Sequence, residues 1–125
     1  MPTKIKIILD GGTLDAELFD NKEGLAVSKA LPIKAKAQTW GDEFYFEAGL
    51  ALRAGDGLTT DVNAGDLGYW PEGDCLCVFF GPTPMSTGDK PVPASGVFIV
   101  GRLISDPALC KPLKRSKTIK WEEER

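Results

Sequence analysis

Asp42, Glu43 and Asp66 are the carboxylates of chemical interest in this chain, because each lies beside or within an aromatic stretch. Carboxyl groups whose surroundings drive their pKa values apart can run acid–base chemistry without histidine. That matters here, since the 125 residues include no histidine. Its absence removes Ser-His-Asp and Cys-His nucleophile activation, the commonest general base and the usual catalytic metal ligands. Charge-rich turns also gather carboxylates by chance, so the three acids by themselves do not separate a working pair from a solvated turn. The cysteines Cys75, Cys77 and Cys110 are odd in number, and the first two stand at i and i+2 on one face of an apolar stretch. A zinc site takes about four ligands, usually with histidine or Cys-x-x-Cys spacing. The cysteines therefore read as small buried hydrophobes, and neither a metal nor a cofactor is expected.

The segment Gly65 to Ser86 is dense in aromatic, glycine and proline residues, and further aromatics precede it at Trp40 and Tyr45. Trp40, Tyr45, Tyr69, Trp70, Phe79 and Phe80 are candidates for an aromatic floor under a ligand. Glu43, Thr83 and Ser86 are its candidate polar contacts, near the Pro82-Thr83-Pro84 loop. Aromatics also dominate the cores of small domains, so packing is the competing reading for at least half of them. For Glu43 the competing reading is a solvated strand residue.

The elements that position these residues follow from periodicity. Lys4 to Leu9 and Thr13 to Phe19 alternate as strands about an Asp10-Gly11-Gly12 turn. A capping signal at Asp20, with Glu23 three residues on, predicts a helix from Asn21 to Leu31 that Pro32 stops. It is the one helix expected. Lys34 to Trp40 and Glu43 to Glu47 fit two strands about a Gly41-Asp42 turn, the second with aromatics on both faces. Gly49 to Gly65 has no sustained period and reads as a long surface excursion with room for a short strand. Gly68 to Trp70 and Cys75 to Phe80 form a hairpin whose apolar second arm marks a central strand. The prolines of Gly81 to Asp89 end the pairing. Val97 to Ile104 is a strong strand, and Lys117 to Trp121 supplies a last one. Lys120 to Arg125 reads as a solvated terminus.

About eight short strands and one short helix in a chain of this length indicate a single all-β domain over residues 1–125, built as a small closed barrel. The hydrophobic fraction of 42% suffices for a genuine core. The interior of such a barrel is filled by side chains, so a ligand binds on its outer face or at a rim. The 18 acidic and 15 basic residues are interspersed and sum to a net charge of −3, which gives nucleic acid no broad basic surface. The longest apolar runs are only a few residues, and Met1-Pro2-Thr3-Lys4 leads directly into strand-like alternation. A soluble, cytoplasmic protein with no membrane contact is expected.

Thr39-Trp40-Gly41-Asp42-Glu43-Phe44-Tyr45-Phe46, Gly65-Asp66-Leu67-Gly68-Tyr69-Trp70-Pro71, Leu76 to Pro84, Pro93-Ala94-Ser95 and Val100-Gly101-Arg102 together resemble the small uncharacterised prokaryotic proteins with a cyclophilin-like fold. The resemblance runs from about Lys4 to Ile104 and implies the cyclophilin-like β-barrel. True cyclophilins, which it also implies as more distant kin, set an arginine on a strand beside a hydrophobic proline pocket. Here Thr39 to Phe46 contains no arginine, and the Phe-His-Arg and Gln-Gly-Gly patterns of those enzymes are missing. The arginines are Arg53, Arg102, Arg115 and Arg125, and Arg102 falls where cyclophilins carry a basic residue without a catalytic role.

Prolyl isomerisation crosses a barrier of about 18–20 kcal/mol, and a catalyst lowers it with placed donors to the twisted amide. A chain without the arginine is therefore read first as a non-catalytic module that binds a proline-containing peptide or a small molecule at Trp40, Glu43, Tyr45, Tyr69, Trp70, Phe80, Thr83 and Ser86. The alternative is a weak, divergent peptidyl-prolyl isomerase with Tyr45, Trp40 or a backbone donor in the arginine's place. A carboxylate-pair enzyme is a third reading. A fourth, one component of a larger carboxylase-like or amidohydrolase-like assembly, has only the occurrence of such barrels in those enzymes behind it.

Overall fold

Ile5, Ile7 and Leu9 alternate with polar or half-buried neighbours, and so do Leu14, Ala16 and Leu18, so each stretch has one face for a core and one for solvent. They form β1 (Thr3–Leu9) and β2 (Gly12–Leu18), joined by the two-residue turn Asp10-Gly11 with Leu9 opposite Gly12. The structure is a computed structural model that describes residues 1–53 and 55–124. Its further elements are α1 (Lys22–Ala30), β3 (Ile33–Lys36), β4 (Gln38–Thr39), β5 (Glu43–Glu47), β6 (Asp66–Trp70), β7 (Cys75–Phe79), β8 (Phe98–Leu103), a 3₁₀ helix (Pro107–Leu113) and β9 (Thr118–Glu123).

All the strands pair antiparallel in one sheet of order β3-β9-β1-β2-β8-β6-β7-β5-β4. The two outermost strands, β3 and β4, are successive halves of one stretch of chain with only Ala37 between them. The first half pairs with β9 and the second with β5. One segment thus joins both edges, and the sheet curls round to meet itself as a nearly closed barrel, the expected architecture. Among the described residues there are nine strands against an expectation of about eight, because Ala37 divides what the sequence pattern shows as one strand.

Three local expectations are corrected. The cap of α1 is Asn21 rather than Asp20: its side-chain oxygen accepts the Gly24 N–H at 2.8 Å, while its amide donates to the Ile99 carbonyl at 3.0 Å and ties the helix to β8. A second helix exists, since Pro107 and Pro112 are tolerated in a 3₁₀ turn that Asp106 caps through the Ala108 N–H at 2.9 Å. The Lys120 end is not a free tail, because β9 continues to Glu123 and fully buries Trp121, whose ring meets Phe46 edge-on at 5.4 Å. Arg125 lies outside the described residues.

The barrel interior holds the main core, in which Phe44, Phe46, Leu67, Tyr69, Leu76, Val78 and Trp121 are completely buried. A second, smaller cluster of Val62, Cys77, Phe79 and Val97 lies apart from it, with Tyr45, Trp70 and Ile99 packed alongside. β7 contributes to both, which is why all five of its residues are buried. Among the described residues no helix is long and apolar enough to cross a membrane.

Candidate functional site

Strand alternation sorts the residues of β5, β6 and β7 between two faces. Phe44 and Phe46 enter the main core with Leu76 and Val78, whereas Glu43, Tyr45, Cys77 and Phe79 belong to the opposite side. In the β5–β7 ladder Glu43 stands opposite Phe79 and Tyr45 opposite Cys77. β6 adds Trp70 on the same side, and the segment leading into β8 adds Val97. Together with Trp40, Pro93 and Ala94 these side chains enclose a cavity of about 210 Å³ on the outer face of the barrel.

Gly68 makes room for its floor. It lies between Cys77 of β7 and Ile99 of β8, and a Cβ there would come within 3.0 Å of the Phe79 ring and 3.5 Å of Val97. Glycine lets the Phe79 ring lie across β6.

The wall carrying Trp40 is set by the turn before β5. The Trp40 N–H donates to the Glu43 carbonyl at 3.0 Å. Gly41 between them has φ of +60°, and a Cβ on it would meet the Thr83 Cα at 2.8 Å and the Pro82 carbonyl at 2.9 Å. Only glycine combines that backbone with such close approach. The turn is further locked to the end of β7, since Asp42 donates its N–H to the Pro82 carbonyl and accepts that of Phe80, both at 2.9 Å.

The opposite wall is fixed by side chains. The Trp70 indole N–H donates to Ser95 Oγ at 2.6 Å, and Ser95 donates in turn to Glu72 at 2.9 Å. Ser95 immediately follows the cavity-lining pair Pro93-Ala94, so this chain of bonds holds Trp70 against that rim. The loop from Gly81 to Gly96 is organised by buried Thr83. Its N–H donates to Ser86 Oγ at 2.9 Å, its hydroxyl donates to the Val92 carbonyl and accepts the Met85 N–H, and Ser86 donates to the Lys90 carbonyl at 2.8 Å.

Glu43 is the one acid in the lining. It is 6% exposed, and among the described residues no lysine or arginine lines the cavity beside it. Burial pushes its carboxyl up to about 7, a rise partly opposed by the Cys77 thiol, which donates to it. Desolvation and the neighbouring carboxyl hold the Cys77 thiol well above its ordinary value. That excludes a ready thiolate nucleophile there.

Of the residues expected at the site, Trp40, Glu43, Tyr45, Trp70 and the aromatic-floor candidate Phe79 are brought together around the cavity. Tyr69 and Phe80 are not, and their assignment is corrected. Alternation turns both into the main core, where the Phe80 ring packs tilted against Phe44 at 5.0 Å and the Tyr69 hydroxyl donates to Asp74 at 2.5 Å and accepts the Leu52 N–H at 3.1 Å. Thr83 and Ser86 are also outside the lining, because their hydroxyls are committed to their own loop. The three carboxylates do not share the cavity either. Asp42 pairs with Lys114 at 3.0 Å, and Asp66 accepts the Asn63 N–H at 2.8 Å. Arg102 pairs with Glu17 at 2.9 Å with its own side chain largely in solvent.

Cys77, Pro93, Ala94 and Val97 are lining residues that sequence reasoning missed. The pairing of Glu43 to Glu47 with Cys75 to Phe79 carries the signal for Cys77. Pro93 and Ala94 belong to a segment that carries the family resemblance, but nothing in it signals a place in the lining, to which the loop's hydrogen bonds bring them.

No curated protein matches the chain. The solution structure of a hypothetical protein from Archaeoglobus fulgidus is similar, with 32% identity and a TM-score of 0.81 over 98% of this chain and 95% of that one. The structure of McbB in complex with tryptophan is similar at 15% identity and a TM-score of 0.68, covering 96% of this chain and 44% of McbB, a likeness of fold alone. The cyclophilin-like family model matches residues 3–122, and the barrel it implies is the one the strands build, so the chain belongs to the cyclophilin-like family.

Proposed function

We propose that this protein is a binding module that takes a compact small molecule into the outer-face cavity, with Glu43 as polar anchor and Trp40, Tyr45 and Trp70 as walls. The observation that carries this reading is a buried carboxyl at an otherwise apolar, aromatic cavity. Burying an acid is costly, and nothing in the lining pairs it with a cation. A few convergent polar groups in an apolar concavity is the usual composition of a ligand site. The volume of about 210 Å³ lies below the roughly 300–1,000 Å³ of sites for drug-sized ligands and above the ~150 Å³ that holds benzene. A compact ligand fits that range better than an extended peptide.

The isomerase alternative draws less support. A twisted amide needs a placed donor, and among the described residues the lining offers no arginine. An ¹H–¹⁵N titration with a panel of small aromatic compounds tests the binding reading. Saturable shifts of the Trp40 and Trp70 indole signals and of the β5 and β7 amides are expected. An Xaa-Pro peptide added to the same labelled protein should show no accelerated cis–trans exchange. Shifts confined to another face, or none with any compound, would overturn the reading.

A further inference from the structure

The ligand of a cavity is constrained by what its walls leave unsatisfied. Among the described residues the lining provides four aromatic side chains, Trp40, Tyr45, Trp70 and Phe79, a carboxyl from Glu43 and a thiol from Cys77, but no positive charge. Asp42, the residue before Glu43, pairs outside the cavity with Lys114 at 3.0 Å and Lys111 at 3.9 Å. The Trp70 indole N–H is spent on Ser95. Apart from the Cys77 thiol that donates to it, the Glu43 carboxyl among these aromatic side chains has no cationic partner in the lining. Its complement is a cation small enough to be desolvated between the rings: the faces attract it through their quadrupoles and the carboxylate through charge and hydrogen bonds.

Resting on the binding reading above, we infer that the cavity selects a small organic ammonium ion, with its charged head on Glu43 and its apolar body between Trp40, Tyr45 and Trp70. An anion would meet the acid without a counter-charge, and a neutral ligand of the same shape would gain the burial but not the ion pair. Selectivity should accordingly follow charge more than shape.

Entry of an ammonium also changes the protonation of the site. Burial leaves Glu43 partly protonated at neutral pH, and a cation favours its ionised form, so a proton is released to solvent as the amine binds. Among the described residues, the other titratable groups in the lining around Glu43 are the Cys77 thiol on β7 and the Tyr45 hydroxyl on β5 itself. Trp40, Trp70, Phe79 and the loop residues Pro93, Ala94 and Val97 supply none. The Cys77 thiol, held well above its ordinary value, keeps its proton throughout.

The test uses the whole chain and three probes of one shape: phenethylamine, 2-phenylethanol and 3-phenylpropionate, titrated by calorimetry and followed in ¹H–¹⁵N spectra. The amine should bind roughly tenfold or more tightly than the alcohol, and the acid most weakly. In Glu43→Gln the preference for the amine over the alcohol should vanish while the alcohol still binds. For the natural protein at pH 7, binding heats in two buffers of different ionisation enthalpy should reveal proton release, a readout that does not depend on the variant's folding. Equal affinities for amine and alcohol, with both shifting the Trp40 and Trp70 indole signals, would overturn the ammonium inference and leave the small-molecule site standing. Failure of every probe to shift those signals would remove both. A Phe-Gly-Gly tripeptide carries the same ammonium on a longer body, and tighter binding of it than of phenethylamine would overturn the small-amine assignment in favour of a peptide terminus.

Discussion

Replacing Glu43 by glutamine should stabilise the protein, and by an amount that depends on pH in a stated direction. The carboxyl is raised by burial from its ordinary value of 4.5 to about 7. In that situation the folded state prefers the protonated acid. Below pH 4.5 both folded and unfolded chains hold the proton and burial of the charge costs nothing. Between 4.5 and about 7 the unfolded chain ionises first, so stability falls as pH rises, and above 7 the full cost is present. That displacement corresponds to roughly 3 kcal/mol, an upper figure because the carboxyl borders a cavity. Glutamine keeps the shape and does not titrate. The difference in unfolding free energy between Glu43→Gln and the natural chain should therefore grow across this window and level off at about 2–3 kcal/mol above pH 8. Other titrating groups, including Asp66, whose carboxyl is likewise raised by burial, and Asp10, lowered by the Lys117 N–H, are common to both chains and cancel in the difference. Urea unfolding at half-unit intervals from pH 4.5 to 8.5, read by tryptophan fluorescence, measures it. A difference that stays flat with pH, or that falls as pH rises, would refute the burial argument for Glu43.

Gly41→Ala should cost about 1–3 kcal/mol, because a side chain at φ +60° must also displace the Thr83 backbone, and it should move the amide signals of residues 81–86; chemical denaturation with an ¹H–¹⁵N spectrum checks both parts. Thr83→Val removes the hydroxyl that links the Val92 carbonyl to the Met85 N–H, so hydrogen exchange of the 83–92 loop should speed up and global stability should fall by about 1–3 kcal/mol. The thiols of Cys75 and Cys110 are pushed up to about 11 and about 12 by burial, and Cys77 is held well above its ordinary value. None of the three should react with a thiol-specific disulfide reagent at pH 8 in the folded protein, and all three should react in denaturing urea; fast labelling of any one without urea would contradict their placement.

Much of the barrel was legible because period-two alternation runs through Lys4 to Ile7 and Leu14 to Leu18, because the aromatics of Phe44 to Phe46 and the apolar run of Cys75 to Phe80 favour strands, and because Asp10-Gly11 marks a turn chemically. The 3₁₀ helix was not, since two prolines signal only the end of a strand and carry no period of their own. For the candidate site, alternation points from Glu43 to Tyr45 and stops at the edge of each strand. It does not reveal that Tyr69 and Trp70, adjacent in sequence, serve opposite faces, until the pairing of Trp70 with Cys75 fixes the register. Thr83 and Ser86 look like free polar contacts in a sequence because a hydroxyl's partner depends on loop geometry. Here those partners are the backbone of residues 85 to 92.

The stretch from Ile33 to Thr39 that joins both edges of the sheet leaves each of its halves with a single ladder partner. An unpaired strand edge is a template for another chain. β3 meets that hazard with charge: Lys34 and Lys36 are exposed along it, and Lys34 stands directly opposite Lys120 of β9. Lining up a second molecule's strand there would bring lysines together across a new ladder. The seam that lets the barrel close is thus guarded by repulsion between copies, a protection that weakens as salt shortens its range.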